Sequence, residues 1–214
     1  MTRKQLVTIA AGPARMEGVL ALPVAPIGMV LFAHGSGSGR HSPRNHLVAA
    51  RLRDAGIGTL VLDLLGADEE RRDEHRFDIA LLTERLALAA SWLGTEALTA
   101  PLSLGLFGAS TGAAAALRLA ARDGSGIAAV VARGGRPDLA GAAALATVVA
   151  PTLLIVGGDD GVVVDLNRQA LSLLRCDKQL LVIPGATHLF EEPGKLGDVA
   201  EAAADWFVRY LVPL

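Results

Sequence analysis

The stretch LGLFGASTGAAAAL, Leu104–Leu117, passes through three local structures. It opens as an apolar run, turns through Gly108-Ala109-Ser110-Thr111-Gly112, and continues into an alanine-rich segment with the composition of a helix. A strand that turns sharply into a helix is a building joint of α/β folds. Two hydroxyl residues stand at the joint. Either can cap a helix, because a side-chain oxygen there accepts from the free N–H groups of the first turn. The same five residues also match G-x-S-x-G, in which the serine occupies a strained corner as a nucleophile and its neighbours must be tiny.

Outward from this joint the chain alternates. Toward the N-terminus, GVLALP (18–23) reads as an edge strand, GMVLFAHG as a short apolar run, PRNHLVAARLRDAG as a helix and GTLVLDL as another apolar run. A helix near 77–93 follows, then LSLGLF as the strand leading into the joint and a helix from about Thr111 to Arg122. Beyond it come IAAVVARG, TLLIVGG, a helix near 165–175, QLLVIPG, and a closing helix that ends near DWFVRYL. Val/Ile/Leu runs without polar alternation belong to strands covered on both faces, as in a parallel sheet. The expectation is a doubly wound α/β sandwich forming one domain over residues 1–214. Segments 64–76 and 133–141 read as polar loops, and loops at the C-terminal ends of parallel strands form the ligand crevice.

Composition narrows the function. With 51% hydrophobic residues, 20% charged and a net charge of −2, the chain offers no basic face for nucleic acid, so a small-molecule partner is expected. The single cysteine, Cys176, excludes an internal disulfide and fits a reducing compartment, with the cytoplasm as the expected location. No export signal is read at the N-terminus, and no window approaches about 18 uncharged apolar residues, so no membrane partner is expected. Monomer and homodimer both stay open.

If Ser110 is a nucleophile, a base and an orienting acid must stand at later strand ends. Asp159 and Asp160 lie just past TLLIVGG, and His188 lies just past QLLVIPG. Each aspartate alternatively caps the helix that follows. His188 is the only histidine just beyond a late strand and is the candidate general base. An oxyanion hole needs the N–H after the nucleophile, here Thr111, and a second from an early strand loop. FAHGSGSGRH supplies that loop; Ser36 is the chosen donor, with Gly35 and Gly37 next, and His34 is read as fixing the loop.

The motifs LFAHGSGSGRHSPRN, GASTGAAAAL, VVARGGRPDLAG, IVGGDDGVVVDLNRQA and PGATHLFEEPG together resemble the dienelactone-hydrolase-like branch of the α/β-hydrolases over nearly the whole chain. The resemblance implies an α/β-hydrolase fold with a mostly parallel sheet, helices on both faces and no large lid. It also implies no metal or cofactor, and hydrolysis of small carboxylic esters or lactones through an acyl-enzyme. Gly157-x-x-Asp160-x-x-Val163 resembles the acid loop of that superfamily and favours Asp160 over Asp159. Dienelactone hydrolases proper use a cysteine nucleophile, whereas the matching position here is Ser110 and Cys176 falls on an expected helix away from the joint.

Arg40, Arg44, Arg133 and Arg136 fall near the expected crevice and suit an anionic substrate, since a guanidinium holds a carboxylate bidentately; the alternative is that they brace loops. The same nucleophile could attack phosphorus, giving promiscuous phosphotriester hydrolysis. Two readings from other classes stand beside the hydrolase. HGSGSG with Asp63 gives a weak dinucleotide-binding pattern, spoiled by Arg40 at the sixth position of G-x-G-x-x-G. A non-catalytic binding module on the same fold is the other.

Overall fold

The apolar runs become strands for the reason their composition suggests: they are covered from both sides. The computed structural model describes residues 2–35 and 37–211. Its elements are β1 (Arg3–Ala11), β2 (Ala14–Leu22), β3 (Met29–Ala33), α1 (Pro43–Asp54), β4 (Gly58–Leu62), the single turns α2 (Ala67–Glu70) and α3 (Asp73–Arg76), α4 (Ile79–Thr95), β5 (Leu104–Ala109) and α5 (Thr111–Ala120). There follow β6 (Ile127–Arg133), a 3-10 turn (Pro137–Ala140), α6 (Ala142–Thr147), β7 (Thr152–Gly157), α7 (Gly161–Leu173), β8 (Lys178–Ile183) and α8 (Lys195–Tyr210).

Eight strands form one sheet in the order β1-β2-β4-β3-β5-β6-β7-β8, parallel from β4 to β8 and antiparallel at β1-β2 and β2-β4. Every residue of β3, β4 and β7 is buried. Alternate residues serve opposite faces. Leu31, Leu106, Val130 and Ala132 pack toward α4 and α5, while Phe32, Phe107, Val131 and Ile155 pack toward α1 and α8. Ala113–Ala116 of α5 are fully buried, and their small side chains let that helix sit close to the sheet and to α4. Strand order reverses at β3, which has β4 on one side and β5 on the other. Ligands of open α/β sheets bind outside the carboxyl ends of the strands at such a switch point.

Two sequence expectations change. GVLALP belongs to β2 and is not the edge: β1 covers it, paired Ala11 to Ala14 across Gly12-Pro13, with Gly12 at φ 65°. β1 buries only Val7, Ile9 and Ala11 in alternation and leaves Leu6 exposed, so it lacks the continuous apolar signal of the central strands. α7 starts at Gly161, four residues before its expected start, because Val163 and Val164 pack with Val156 and that contact outweighs the low helix propensity of a valine run. The same helix ends at Leu173, which leaves Cys176 in the connection to β8. The polar segment 64–76 also holds the two single-turn helices α2 and α3. Among the described residues no helix is long and apolar enough to cross a membrane.

Candidate active site

Ser110 sits between β5 and α5 at φ 51° and ψ −120°, a conformation that costs an L-residue of order 1–3 kcal/mol and persists only where neighbours enforce it. The enforcement is visible. Its N–H donates to the Arg133 carbonyl at 3.3 Å, and its own carbonyl accepts from Ala113 and Arg136 N–H at 3.1 Å each. A Cβ at Gly108 would lie 2.5 Å from Ala113 Cα, and one at Gly112 would collide with the carbonyls of Ala33 and His34. Both glycines of the motif are therefore steric requirements. The Ser110 side chain caps nothing. The capping role read from sequence is not taken by this hydroxyl.

His188 lies in the loop after β8, and its Nδ1 meets Asp160 Oδ2 at 2.6 Å. A carboxylate only accepts, so Nδ1–H donates, and in the neutral imidazole that tautomer makes Nε2 the acceptor. Asp160 occupies the N-cap position of α7 without capping it. Asp159 is exposed and tied through its backbone N–H to the Ala186 carbonyl at 3.0 Å. Of the two adjacent aspartates, Asp160 is the partner of the histidine. A Cβ at Gly134 would stand 3.5 Å from His188 Cε1 and 3.0 Å from its carbonyl oxygen. The residue before Gly134 holds the Ser110 N–H. Ser110 and His188 thus flank the Arg133-Gly134 segment at the end of β6.

Three contacts that the sequence did not reveal anchor the histidine loop. Glu192 accepts from Thr187 Oγ1 at 2.6 Å and from Thr187 N–H at 3.2 Å, and these bonds hold its carboxyl below the usual range. Glu191 pairs with Arg44 of α1 at 2.9 Å. Phe190, at φ 59°, is buried beneath the loop. The only sequence hint was the pair of carboxylates closely following His188.

Around the expected oxyanion site, Thr111 begins α5 and its N–H has no intrahelical acceptor. Ser36 lies outside the described residues. Gly35 presses on Ser110, since a Cβ there would be 2.8 Å from Ser110 Cβ. Gly37 N–H already donates to Glu70 Oε1 at 3.0 Å. His34 is buried; its Nδ1 bonds the Gly35 carbonyl and its Nε2 accepts the Leu64 N–H, both at 3.0 Å. That pattern makes it a neutral tie between the loops after β3 and β4.

The four arginines separate into two kinds. Arg40 pairs with Asp63 and with Glu17, Arg44 with Glu191, and Arg136 bidentately with Asp138 at 2.9 and 2.7 Å. These are loop braces. Asp63, the acid of the dinucleotide reading, is engaged by Arg40. Arg133 is different: it is 6% exposed, has no carboxylate partner among the described residues, and leaves its buried Nε without an acceptor. Its guanidinium lies 5.8 Å from the Phe190 ring centroid, and burial, helped by the nearby Arg44, pulls its pKa down to about 10. A cleft of about 780 Å³, lined by loops 37–44 and 65–70, opens beside the β3 loop; Arg44 and His34 reach it, whereas Ser110 and His188 do not line it.

The model of the dienelactone hydrolase family matches residues 16–212. The chain belongs to the dienelactone hydrolase family. A crystal structure of dienelactone hydrolase from Anabaena variabilis superposes with a TM-score of 0.94 at 50% identity, covering 98% of this chain and 99% of that one. Est1E from Butyrivibrio proteoclasticus shares the fold at a TM-score of 0.82 and 15% identity, over 95% of this chain and 98% of its own. Two proteins of Mycobacterium tuberculosis, each called a putative phosphoribosyl transferase, are 54% identical over 209 residues, which is 98% of this dienelactone hydrolase family member and 47% of each of them. The chain therefore spans about half the length of the curated relatives it matches, and their name describes the longer proteins.

Proposed function

We propose that this family member is a serine hydrolase of small carboxylic esters or lactones. Ser110 Oγ attacks the carbonyl carbon while His188 Nε2 takes its proton. Asp160 holds the imidazole in the required tautomer and stabilises the imidazolium. The Thr111 N–H, with one from the loop that includes Gly35 and Ser36, receives the developing oxyanion. Collapse expels the alcohol, protonated by His188, and leaves an acyl group on Ser110. Water, deprotonated by His188, then releases the acid. The observation that carries the reading is the 2.6 Å His188–Asp160 pair, held at the same sheet end as a serine whose strained backbone leaves its hydroxyl out of the helix cap.

The test is turnover of 4-nitrophenyl butyrate by wild type and S110A. We expect the variant to fold and to lose at least about a thousandfold in kcat, as removal of a triad member does elsewhere. Wild-type turnover by S110A overturns the proposal. A fluorophosphonate probe should label Ser110; a protein that folds, turns over no ester and takes no label is a binding module. A phosphotriester in the same assay reads phosphorus chemistry, for which release of more than one product per enzyme is required.

A further inference from the structure

The charged segment 64–76 and the glycine-rich loop after β3 lie against each other. An oxyanion hole works only when its N–H donors are fixed before the reaction begins. The sequence GSGSG at 35–39 is poorly suited to hold itself still, because glycine has more backbone freedom than any other residue. Among the described residues the loop makes two backbone bonds of its own, Ser38 N–H to the Gly35 carbonyl at 3.2 Å and Ser42 N–H to the Gly39 carbonyl at 3.0 Å. Three further ties come from the segment after β4. Asp63 accepts from the Arg40 N–H at 2.6 Å, Leu64 N–H donates to His34 Nε2 at 3.0 Å, and Glu70 Oε1 accepts from the Gly37 N–H at 3.0 Å.

Asp63 and Leu64 hold the two ends of the loop, whereas Glu70 reaches its middle, at a glycine with φ 71°. Glu70 is itself firmly placed. Arg85 of α4, 8% exposed, donates to the Ala11 carbonyl at 2.8 Å and to Glu69 Oε1 at 2.7 Å. Glu69 Oε2 in turn accepts the Gly66 N–H at the start of α2, at 2.9 Å. Neighbouring glutamates on one turn thus face two ways: Glu69 fastens α2 to the body of the protein, and Glu70 fastens the loop to α2. The other flank of the loop is Ser110, since a Cβ at Gly35 would stand 2.8 Å from Ser110 Cβ.

We propose that Glu70 is a positioning residue for ester hydrolysis, fixing the loop that supplies the second oxyanion donor by accepting the Gly37 N–H. This rests on Ser110 being the nucleophile and on that loop completing the oxyanion hole. Glu70 touches no reacting atom. Gly37 N–H, engaged by Glu70, is not itself the donor, which leaves that part to the residues before it.

The experiment compares wild type, E70A and E70Q on 4-nitrophenyl butyrate, with kcat taken per site titrated by the fluorophosphonate probe. D68N, which removes an exposed charge paired with Arg71 on the same turn, is the control and should match wild type. Removing an oxyanion donor outright costs about 10²–10³ in kcat, so letting one drift should cost about tenfold in E70A. An interaction felt only in the transition state lowers kcat and kcat/KM by the same factor, so KM should hold. E70Q, whose amide oxygen still accepts the Gly37 N–H, should recover most of the loss. Hydrogen exchange over residues 34–42, followed by mass spectrometry, should be faster in E70A and unchanged in the core strands, whereas general destabilisation would quicken exchange throughout. A fall in kcat with loop exchange unchanged, or faster loop exchange with kcat unchanged, overturns the proposal and leaves the hydrolase reading standing. A higher kcat in E70A also overturns it, by making the carboxylate a block on the loop. If wild type turns over no ester, the hydrolase reading fails and the positioning role falls with it; wild-type turnover tells that case from the others.

Discussion

Replacing Ser110 by glycine should make the protein more stable than replacing it by alanine, a reversal of the usual order. In ordinary backbone glycine is the worse residue by roughly 0.5–1 kcal/mol, since it has more conformational freedom to lose. Ser110, however, is held at φ 51° and ψ −120°, where a Cβ is strained by roughly 1–3 kcal/mol and glycine is not. Both variants lose the hydroxyl, so that term cancels. The remaining difference favours glycine by about 1 kcal/mol, which for a chain of this length raises the melting temperature by about 3 °C over S110A. Calorimetry on the two variants side by side measures it. If S110G melts below S110A by the ordinary margin, the corner stores no strain and its neighbours do not force Ser110 into this backbone.

Other perturbations follow from the same geometry. D160N should cut kcat by roughly 10³–10⁴, because an amide holds the wrong imidazole tautomer, while D159N, altering an exposed side chain, should stay near wild type. H34L should cost about 1–3 kcal/mol in a denaturant titration, since the buried Leu64 N–H loses its acceptor. At neutral pH Arg133 is charged in both folded and unfolded chains, and a pKa near 10 in the fold corresponds to a burial cost of about 3 kcal/mol. As pH rises through about 10 the folded protein releases that proton while the unfolded chain keeps it. Wild-type stability should therefore gain on R133M above that pH, narrowing a gap that favours R133M at pH 7.

The central sheet was legible because its strands are buried on both faces, so β3, β4 and β7 advertise themselves as unbroken apolar runs. β1 was not, because a hairpin strand at the margin buries every second residue and exposes the rest; Gly12-Pro13 was the signal for its turn. The strained corner at Ser110 was legible from its two glycines, whose sterics are local. The choice between Asp159 and Asp160 was not a local matter, since the two differ only in which one a loop 28 residues away approaches. The arginines show the same limit. Arg40 meets an aspartate 23 positions on, and no spacing rule announces such a pair or reveals that Arg133 lacks one. Propensity, burial period and steric motifs are written along the chain; charge pairing is written by the fold.

Covalent catalysis by Ser110 is tested by trapping the acyl-enzyme. D160N, slowed in returning the acyl group to water, is mixed with 4-nitrophenyl butyrate, quenched in acid, digested and weighed by mass spectrometry. A butyryl group is expected on the peptide containing Ser110, matched by a burst of nitrophenol, and neither in S110A. Steady ester turnover without an adduct at Ser110, or an adduct that persists in S110A, would contradict it.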